Sequence, residues 1–283
     1  MKLSHILDKV IYTTGISGFI GSHLLPLLLQ KYDRVLNFEK NEQATIYQHD
    51  SRDAYKLSMK LINKNPARNI IHLAAKYQSN TRSLNDFRSL IESNVYFLVD
   101  IFENYLSNKD LEITNICSYM QLLDQSMQNA YSLSKEITKI FLEKNECRLR
   151  NIYLFDTFGS GDTRNKVTDV FIKKALRKEK IIIPENDVEI NLTCAEDISL
   201  SIMKSLELKS GNYSIFSSNT MNLNELALMI GRLLNSEVEI VREGLGANNS
   251  PGSITMPPNI LNKKDEIPIE QKIIERINEL KRA

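Results

Sequence analysis

Thr14-Gly15-Ile16-Ser17-Gly18-Phe19-Ile20-Gly21 decides how this chain is read. It follows a short run, Lys9–Thr13, that reads as a buried strand, and it opens the apolar stretch Phe19–Tyr32, which reads as a helix. A strand, a glycine turn and a helix in that order form a phosphate cradle. Gly15 permits the tight turn, Gly18 lets a pyrophosphate approach the backbone, and Gly21 lets helix and strand pack. The helix N-terminus adds free N–H groups and partial positive charge. The same glycine spacing also occurs at plain strand–turn–helix junctions, so the preceding strand is what favours the phosphate reading. Pro26 lies inside the helix and is expected to kink or weaken it.

Outward from the cradle, strands and helices alternate. Arg34–Phe38, Asn69–Leu73, Glu112–Cys117 and Leu149–Phe155 read as strands, and Tyr131–Lys144 as a helix. Leu84–Leu106 reads as one long helix, with Phe87, Leu90, Ile91, Asn94, Leu98, Ile101 and Phe102 on one face. This alternation predicts an α/β fold, a Rossmann-type doubly wound parallel sheet. The second half is less regular. Helices are expected over Lys166–Arg177, Glu196–Leu206, Asn222–Leu234 and Ile267–Lys281, with Asn222 as an N-cap and Pro268 in a first turn. Short strands are expected near Ile181–Ile183 and Val188–Thr193, and a loop over Asn248–Pro258. The expected organisation is a dinucleotide-binding domain over 1–155 and a smaller substrate lobe over 156–283, partly interwoven with it.

Composition narrows the function classes. The chain has 283 residues, 42% apolar and 25% charged, with a formal net charge of +1. Nothing in that balance points to nucleic acid or to an acidic membrane. No apolar run approaches the ~18 residues of a membrane span, and the first apolar stretch is broken by Asp8 and Lys9, unlike a signal peptide. The three cysteines, Cys117, Cys147 and Cys194, are scattered and fit a reducing cytoplasm. The four histidines, His5, His23, His49 and His72, lack metal-ligand spacing, so no metal is expected.

Tyr131-Ser-Leu-Ser-Lys135 places a phenol and an ammonium on one helix face, because residues four apart are neighbours there. A nearby ammonium favours the phenolate, which would bring a tyrosine into the range of acid–base work. Ser118 ends a strand at a sheet edge where ligands bind in open α/β folds, and its hydroxyl is placed to polarise a substrate oxygen; a turn cap is the other reading. Glu39 closes the second strand, where a carboxylate accepts both ribose hydroxyls of NAD and repels a 2′-phosphate. A solvated strand-end charge is the alternative, and Lys40 and Arg52 lie close enough in sequence to bind that phosphate. Asp50 is placed to hold the adenine amine, or is an exposed loop carboxylate. NAD(H) or NADP(H) is therefore expected, with Glu39 tilting the choice to NAD.

These residues resemble the extended short-chain dehydrogenase/reductase superfamily, in its NAD-dependent epimerase/dehydratase branch. Thr14–Gly21 matches the cofactor motif, His72–Ala75 the post-strand motif, and Tyr131 with Lys135 the catalytic pair. Asn94 matches an asparagine the family uses structurally. Phe155-Asp-Thr-Phe-Gly159 is similar to its F-N-V-Y-G segment, and Ala195-Glu-Asp197 to its V-x-D motif. The resemblance implies catalytic roles for Ser118, Tyr131 and Lys135. It puts Gly15, Ser17, Gly18, Phe19, Ile20, Glu39, Asp50, Ser51, Leu73, Ala74, Ala75, Lys135 and Phe155 at the cofactor. It puts Tyr77, Ser118, Tyr119, Asp156 and Lys166 at a nucleotide-diphosphate sugar.

Departures from the family pattern narrow the implied activity. A 4,6-dehydratase has Asp-Glu after the active-site hydroxyl residue; Tyr119 and Met120 stand here. A GDP-fucose-synthase-like enzyme has a cysteine at the position of Tyr119. The short gap from Ser118 to Tyr131, Ile70-Ile-His-Leu-Ala-Ala-Lys-Tyr77 and Gly159-Ser-Gly-Asp-Thr-Arg-Asn-Lys166 resemble CDP-abequose and CDP-paratose synthases. Ile190-Asn191 replaces the usual Arg-Asp and Asp156 the usual asparagine, which leaves the nucleotide open. The implied reaction is reduction of a nucleotide-linked 4-keto-6-deoxy or 3,6-dideoxy hexose for bacterial surface polysaccharide. A 4-epimerase with tightly bound NAD and a non-catalytic redox-sensing NAD(P)-binding protein are the alternatives. A homodimer through Leu84–Leu106 and Tyr131–Lys144 is also expected by resemblance.

Overall fold

The computed structural model describes residues 9–41, 43–48, 54–58, 68–78, 83–105, 111–123, 129–145, 147–246 and 254–282. The strands are β1 (Val10–Thr14), β2 (Arg34–Glu39), β3 (Gln43–Gln48), β4 (Tyr55–Ser58), β5 (Asn69–His72), β6 (Glu112–Ser118), β7 (Arg148–Leu154), β8 (Asp156–Phe158), β9 (Ile181–Ile183), β10 (Glu189–Cys194), β11 (Gly211–Ile215), β12 (Thr220–Asn222) and β13 (Ile240–Arg242). The helices are α1 (Phe19–Lys31), α2 (Leu84–Ile91), α3 (Phe97–Tyr105), α4 (Ala130–Lys144), α5 (Val167–Leu176), α6 (Ala195–Ser205), α7 (Leu223–Leu233) and α8 (Ile269–Leu280).

Eight strands form the main sheet in the order β11-β7-β6-β5-β1-β2-β3-β4. β1 pairs in parallel with β2 on one side and with β5 on the other, and β6, β7 and β11 continue the parallel run. The chain therefore reverses its direction of travel across the sheet between β1 and β5. A crevice opens at that switch point, beyond the carboxyl ends of the strands. Each strand presents alternate residues to opposite faces. Ile11, Val35 and Ile71 pack with Leu24 and Leu28 of α1 and Ile198 and Ile202 of α6, whereas Tyr12, Leu36 and Ile70 pack with Leu98 and Ile101 of α3 and Leu142 of α4. Both faces are covered, as a mostly parallel sheet requires.

Two features depart from the sequence expectations. β3 and β4 are antiparallel, so the far side of β2 carries a hairpin instead of a helix crossover. The signals were there: Asn41 takes φ +63° in the turn, and Ala44 and Ile46 alternate with Thr45 and Tyr47. The expected single helix over Leu84–Leu106 is three pieces, with a π turn over Glu92–Tyr96 between α2 and α3. Pro26 sits on the exposed face of α1, and the helix runs on through it.

A smaller layer follows β7. β8, β10 and β12 form one sheet and β9 with β13 another, packed with α5, α7 and α8 around Phe171, Ile172, Ile190, Leu226, Ile230 and Ile273. Asn222 caps α7 as expected, in a reciprocal capping box with Glu225. The two halves interleave: β11 joins β7 in the main sheet, and α6 packs on α1.

Candidate active site

The carboxyl ends of β1, β5, β6 and β7 surround a cleft of about 240 Å³. Its lining includes Gly15, Gly18, Phe19, Ile20, Leu73, Ala74, Ala75, Tyr77, Ser118, Tyr119, Tyr131, Lys135, Phe155, Asp156 and Lys166. The fold thus brings together residues that the sequence scatters over more than half the chain.

The cradle is built by close backbone approach. Gly15 takes φ +72°, and a Cβ there would lie 2.6 Å from the Ala74 nitrogen. Only glycine meets both demands. The turn is pinned from β2, where Asn37 Oδ1 accepts from the Ile16 N–H at 3.2 Å and from Thr13 Oγ1 at 3.3 Å. It is pinned from β5 through Thr14, whose hydroxyl accepts from Ala74 N–H at 3.2 Å. That leaves the Thr14 proton for His72 Nδ1, 2.7 Å away. Burial lowers the His72 pKa to about 3, which keeps the ring neutral and able to accept. His72 thus ties β5 to the end of β1.

Ser118 does two things. Its hydroxyl accepts from Met120 N–H at 3.4 Å and caps the short turn Tyr119–Gln121, while Gln121 Oε1 accepts from Ser118 N–H at 2.9 Å. It also lines the cleft. The turn-cap reading of this serine is seen in these bonds.

Tyr131 and Lys135 lie on α4, which Asn129 caps in a reciprocal box with Ser132. The Tyr77 ring packs edge-on against Tyr131, centroids 5.1 Å apart. Burial pushes the Tyr131 phenol above its ordinary range; the neighbouring Tyr77 adds to this, and the charge of Arg164 pulls the other way. Lys135 is buried, its ammonium donates to the Ile116 carbonyl at 2.6 Å, and burial lowers its pKa. Arg164 is a cation that works against the upward shift of the Tyr131 phenol.

α4 is held in place by Asn94 in the π turn. Its side chain accepts from Lys76 N–H at 2.6 Å and donates to the Lys76 carbonyl at 3.1 Å and to Ser134 Oγ at 2.9 Å. Thr138 donates to the Asn94 carbonyl at 2.6 Å, satisfying an acceptor at the π turn. One asparagine thus ties the segment after β5 to the helix bearing Tyr131.

The far wall carries Asp156. Its Oδ2 accepts from Asn191 N–H at 3.2 Å, and burial raises its carboxyl to about 6 against the opposing effects of that bond and of Lys166. Lys166 stands over the Tyr77 ring, 3.4 Å from its centroid. Tyr119 stacks on Phe155 at 5.0 Å.

Several expected cofactor residues are not in the cleft. Ser17 is exposed at the glycine turn and does not line it. Glu39 closes β2 as expected, but its carboxylate accepts from Thr45 Oγ1 at 2.7 Å and is not part of the cleft wall. Asp50 and Ser51, and Arg52 beside them, lie outside the described residues. β3, which ends at Gln48, runs away from the cradle and finishes opposite Arg34. Sequence reasoning missed Asn37, Thr157 and Arg164. Asn37 carried a signal, a polar residue within an apolar strand.

The chain is 24% identical to CDP-abequose synthase of Yersinia pseudotuberculosis over 279 residues, covering 91% of this chain and 96% of that one. It is similar in structure to WbmF of Bordetella bronchiseptica, solved with NAD+ and UDP, at a TM-score of 0.75 and 18% identity over 97% of this chain and 93% of that one. A UDP-glucuronic acid 4-epimerase from Bacillus cereus, solved with NAD, gives a TM-score of 0.75 at 13% identity over 96% of this chain and 99% of that one. These structural likenesses show the same Rossmann-type fold. Residues 11–199, which hold the cradle, Ser118, Tyr131 and Lys135, match the family model itself, and the chain belongs to the NAD dependent epimerase/dehydratase family.

Proposed function

We propose that this protein reduces the 4-keto group of a nucleotide-diphosphate-linked 4-keto-6-deoxy or 3,6-dideoxy hexose, with NADH as the favoured coenzyme. The observation that carries this reading is a single cleft lined by the glycine cradle, Ser118 and the Tyr131 phenol, whose pKa burial raises. A protonated donor suits the reductive direction, in which a carbonyl oxygen gains charge and must be given a proton. The dinucleotide supplies the hydride. Tyr131 gives its proton to the forming alkoxide, and the Ser118 hydroxyl hydrogen-bonds the same oxygen. Lys135 holds the ribose of the coenzyme. Tyr77, Tyr119, Asp156 and Lys166 line the substrate end, and the likeness to a CDP-abequose synthase supports a deoxyhexose there. Such a product feeds bacterial surface polysaccharide made in the cytoplasm. Among the described residues no helix is long and apolar enough to cross a membrane.

The second reading is a 4-epimerase that keeps NAD bound, favoured by the fold shared with the Bacillus cereus enzyme. Turnover against CDP-, dTDP-, GDP- and UDP-linked 4-keto-6-deoxyhexoses with NADH and with NADPH separates the two. Consumption of NADH with one of these sugars supports the reductase. Protein that purifies with NAD and interconverts sugars without consuming coenzyme supports the epimerase. A strong preference for NADPH would overturn the role given to Glu39.

A further inference from the structure

No role is read for Arg164 within the Gly159–Lys166 stretch, yet the fold puts it in the cleft wall with the cradle and Tyr131. Its guanidinium stands over the Phe19 ring, 4.2 Å from the centroid, and Phe19 directly follows Gly18 of the cradle. Its charge also reaches the Tyr131 phenol.

The group is held on one edge. Nε donates to Asp162 Oδ1 at 2.8 Å, Nη2 donates to Asp162 Oδ2 at 2.7 Å, and Nη2 also donates to Thr157 Oγ1 at 2.8 Å. Nη1 has no hydrogen-bond partner among the described residues. Asp162 is in turn fixed from the C-terminal helix. Arg276 of α8 donates to the Asp162 carbonyl and forms a two-pronged pair with Asp169 of α5, and Glu279 accepts from Gly161 N–H at 2.9 Å. Arg276 and Asp169 are both buried. A solvated surface arginine is not braced in this way. The bracing fixes the orientation of the guanidinium before any ligand arrives, which lowers the ordering cost of binding. A planar guanidinium with one free corner suits a phosphate oxygen.

We propose that Arg164 is a diphosphate-binding residue of this cleft, and that Asp162 and Arg276 are positioning residues acting through it. The diphosphate is that of the dinucleotide or that of the nucleotide sugar, and this rests on the reading that the cleft takes both. The test titrates wild type, Arg164→Gln and Arg164→Lys with NADH by fluorescence, and with UDP and CDP by calorimetry, at two salt concentrations. Loss of one charge-assisted hydrogen bond predicts roughly ten- to hundredfold weaker binding of one probe class in Arg164→Gln. Arg164→Lys, which keeps the charge and loses the fork, is expected between it and wild type. Asp162→Asn should weaken the same probe less, with the salt dependence of wild type retained. A loss confined to NADH assigns Arg164 to the coenzyme, and a loss confined to UDP or CDP assigns it to the substrate. Wild-type affinities for all probes in both Arg164 variants would overturn the proposal. Wild-type protein that binds neither NADH nor a nucleoside diphosphate would instead overturn the functional reading on which it rests.

Discussion

The ammonium of Lys135 lies 2.6 Å from the carbonyl oxygen of Ile116, two residues before Ser118 on the same strand. This bond ties the helix that carries Tyr131 to the strand that carries Ser118. Lys135 thereby holds Tyr131 and Ser118 in register. Lys135→Met should cost about a hundredfold in turnover through misplacement of the two hydroxyls. Stability should change by only about 1 kcal/mol, since the lost hydrogen bond is offset by removal of a buried cation. Thermal melts beside initial rates check this, and a large drop in melting temperature would show that the bond is chiefly structural.

Asn94 makes a different kind of tie. Its buried side chain forms three hydrogen bonds, to both backbone groups of Lys76 and to Ser134. Asn94→Ala leaves those groups without partners inside the protein, at a cost of roughly 2–4 kcal/mol. Denaturant unfolding should show the loss. Turnover should fall too, because Tyr77 adjoins Lys76 and packs against Tyr131.

Asp156 gives a pH signature. Burial raises its carboxyl from 3.8 to about 6, so the folded state favours the protonated form. Its stability contribution is therefore full below the unfolded value and is lost as pH rises toward the folded one. Asn at this position cannot ionise. The melting temperature of Asp156→Asn relative to wild type should climb between about pH 4 and about pH 7. A difference that stays flat across that window would contradict the assignment.

The sequence alone made the cradle and the Tyr131–Lys135 pair legible because both are local demands. Gly15 must take a positive φ beside Ala74, and a four-residue spacing sets Tyr131 and Lys135 on one helix face. What could not be read is what those groups meet. The Lys135 amine meets the Ile116 carbonyl and the Arg164 guanidinium meets Phe19, contacts between distant segments that only the fold brings together. The hairpin of β3 and β4 was missed for a related reason: its alternation is short and is set among polar residues.

The exposed face of α4 leads to a test of assembly. Leu133, Ile137 and Ile140 are 45%, 45% and 47% exposed, and their spacing puts them on one stripe. Phe87 of α2 and Tyr96 of the π turn, elements that pack against α4, are also exposed, at 43% and 63%. We propose that a second copy of the chain covers this surface across a twofold axis. Light scattering should report a dimer for wild type and a monomer for Ile137→Glu. A fully active wild-type monomer at micromolar concentration would contradict it.

The central claim is that Tyr131 donates the proton in a coenzyme-dependent reduction, and Tyr131→Phe tests it most directly. The ring and its contact with Tyr77 are kept, and only the hydroxyl is removed. NADH consumption with the preferred nucleotide 4-keto-sugar should fall by roughly 10²–10⁴, while NADH binding stays at the wild-type level. A Tyr131→Phe protein that turns over at close to the wild-type rate would contradict the account.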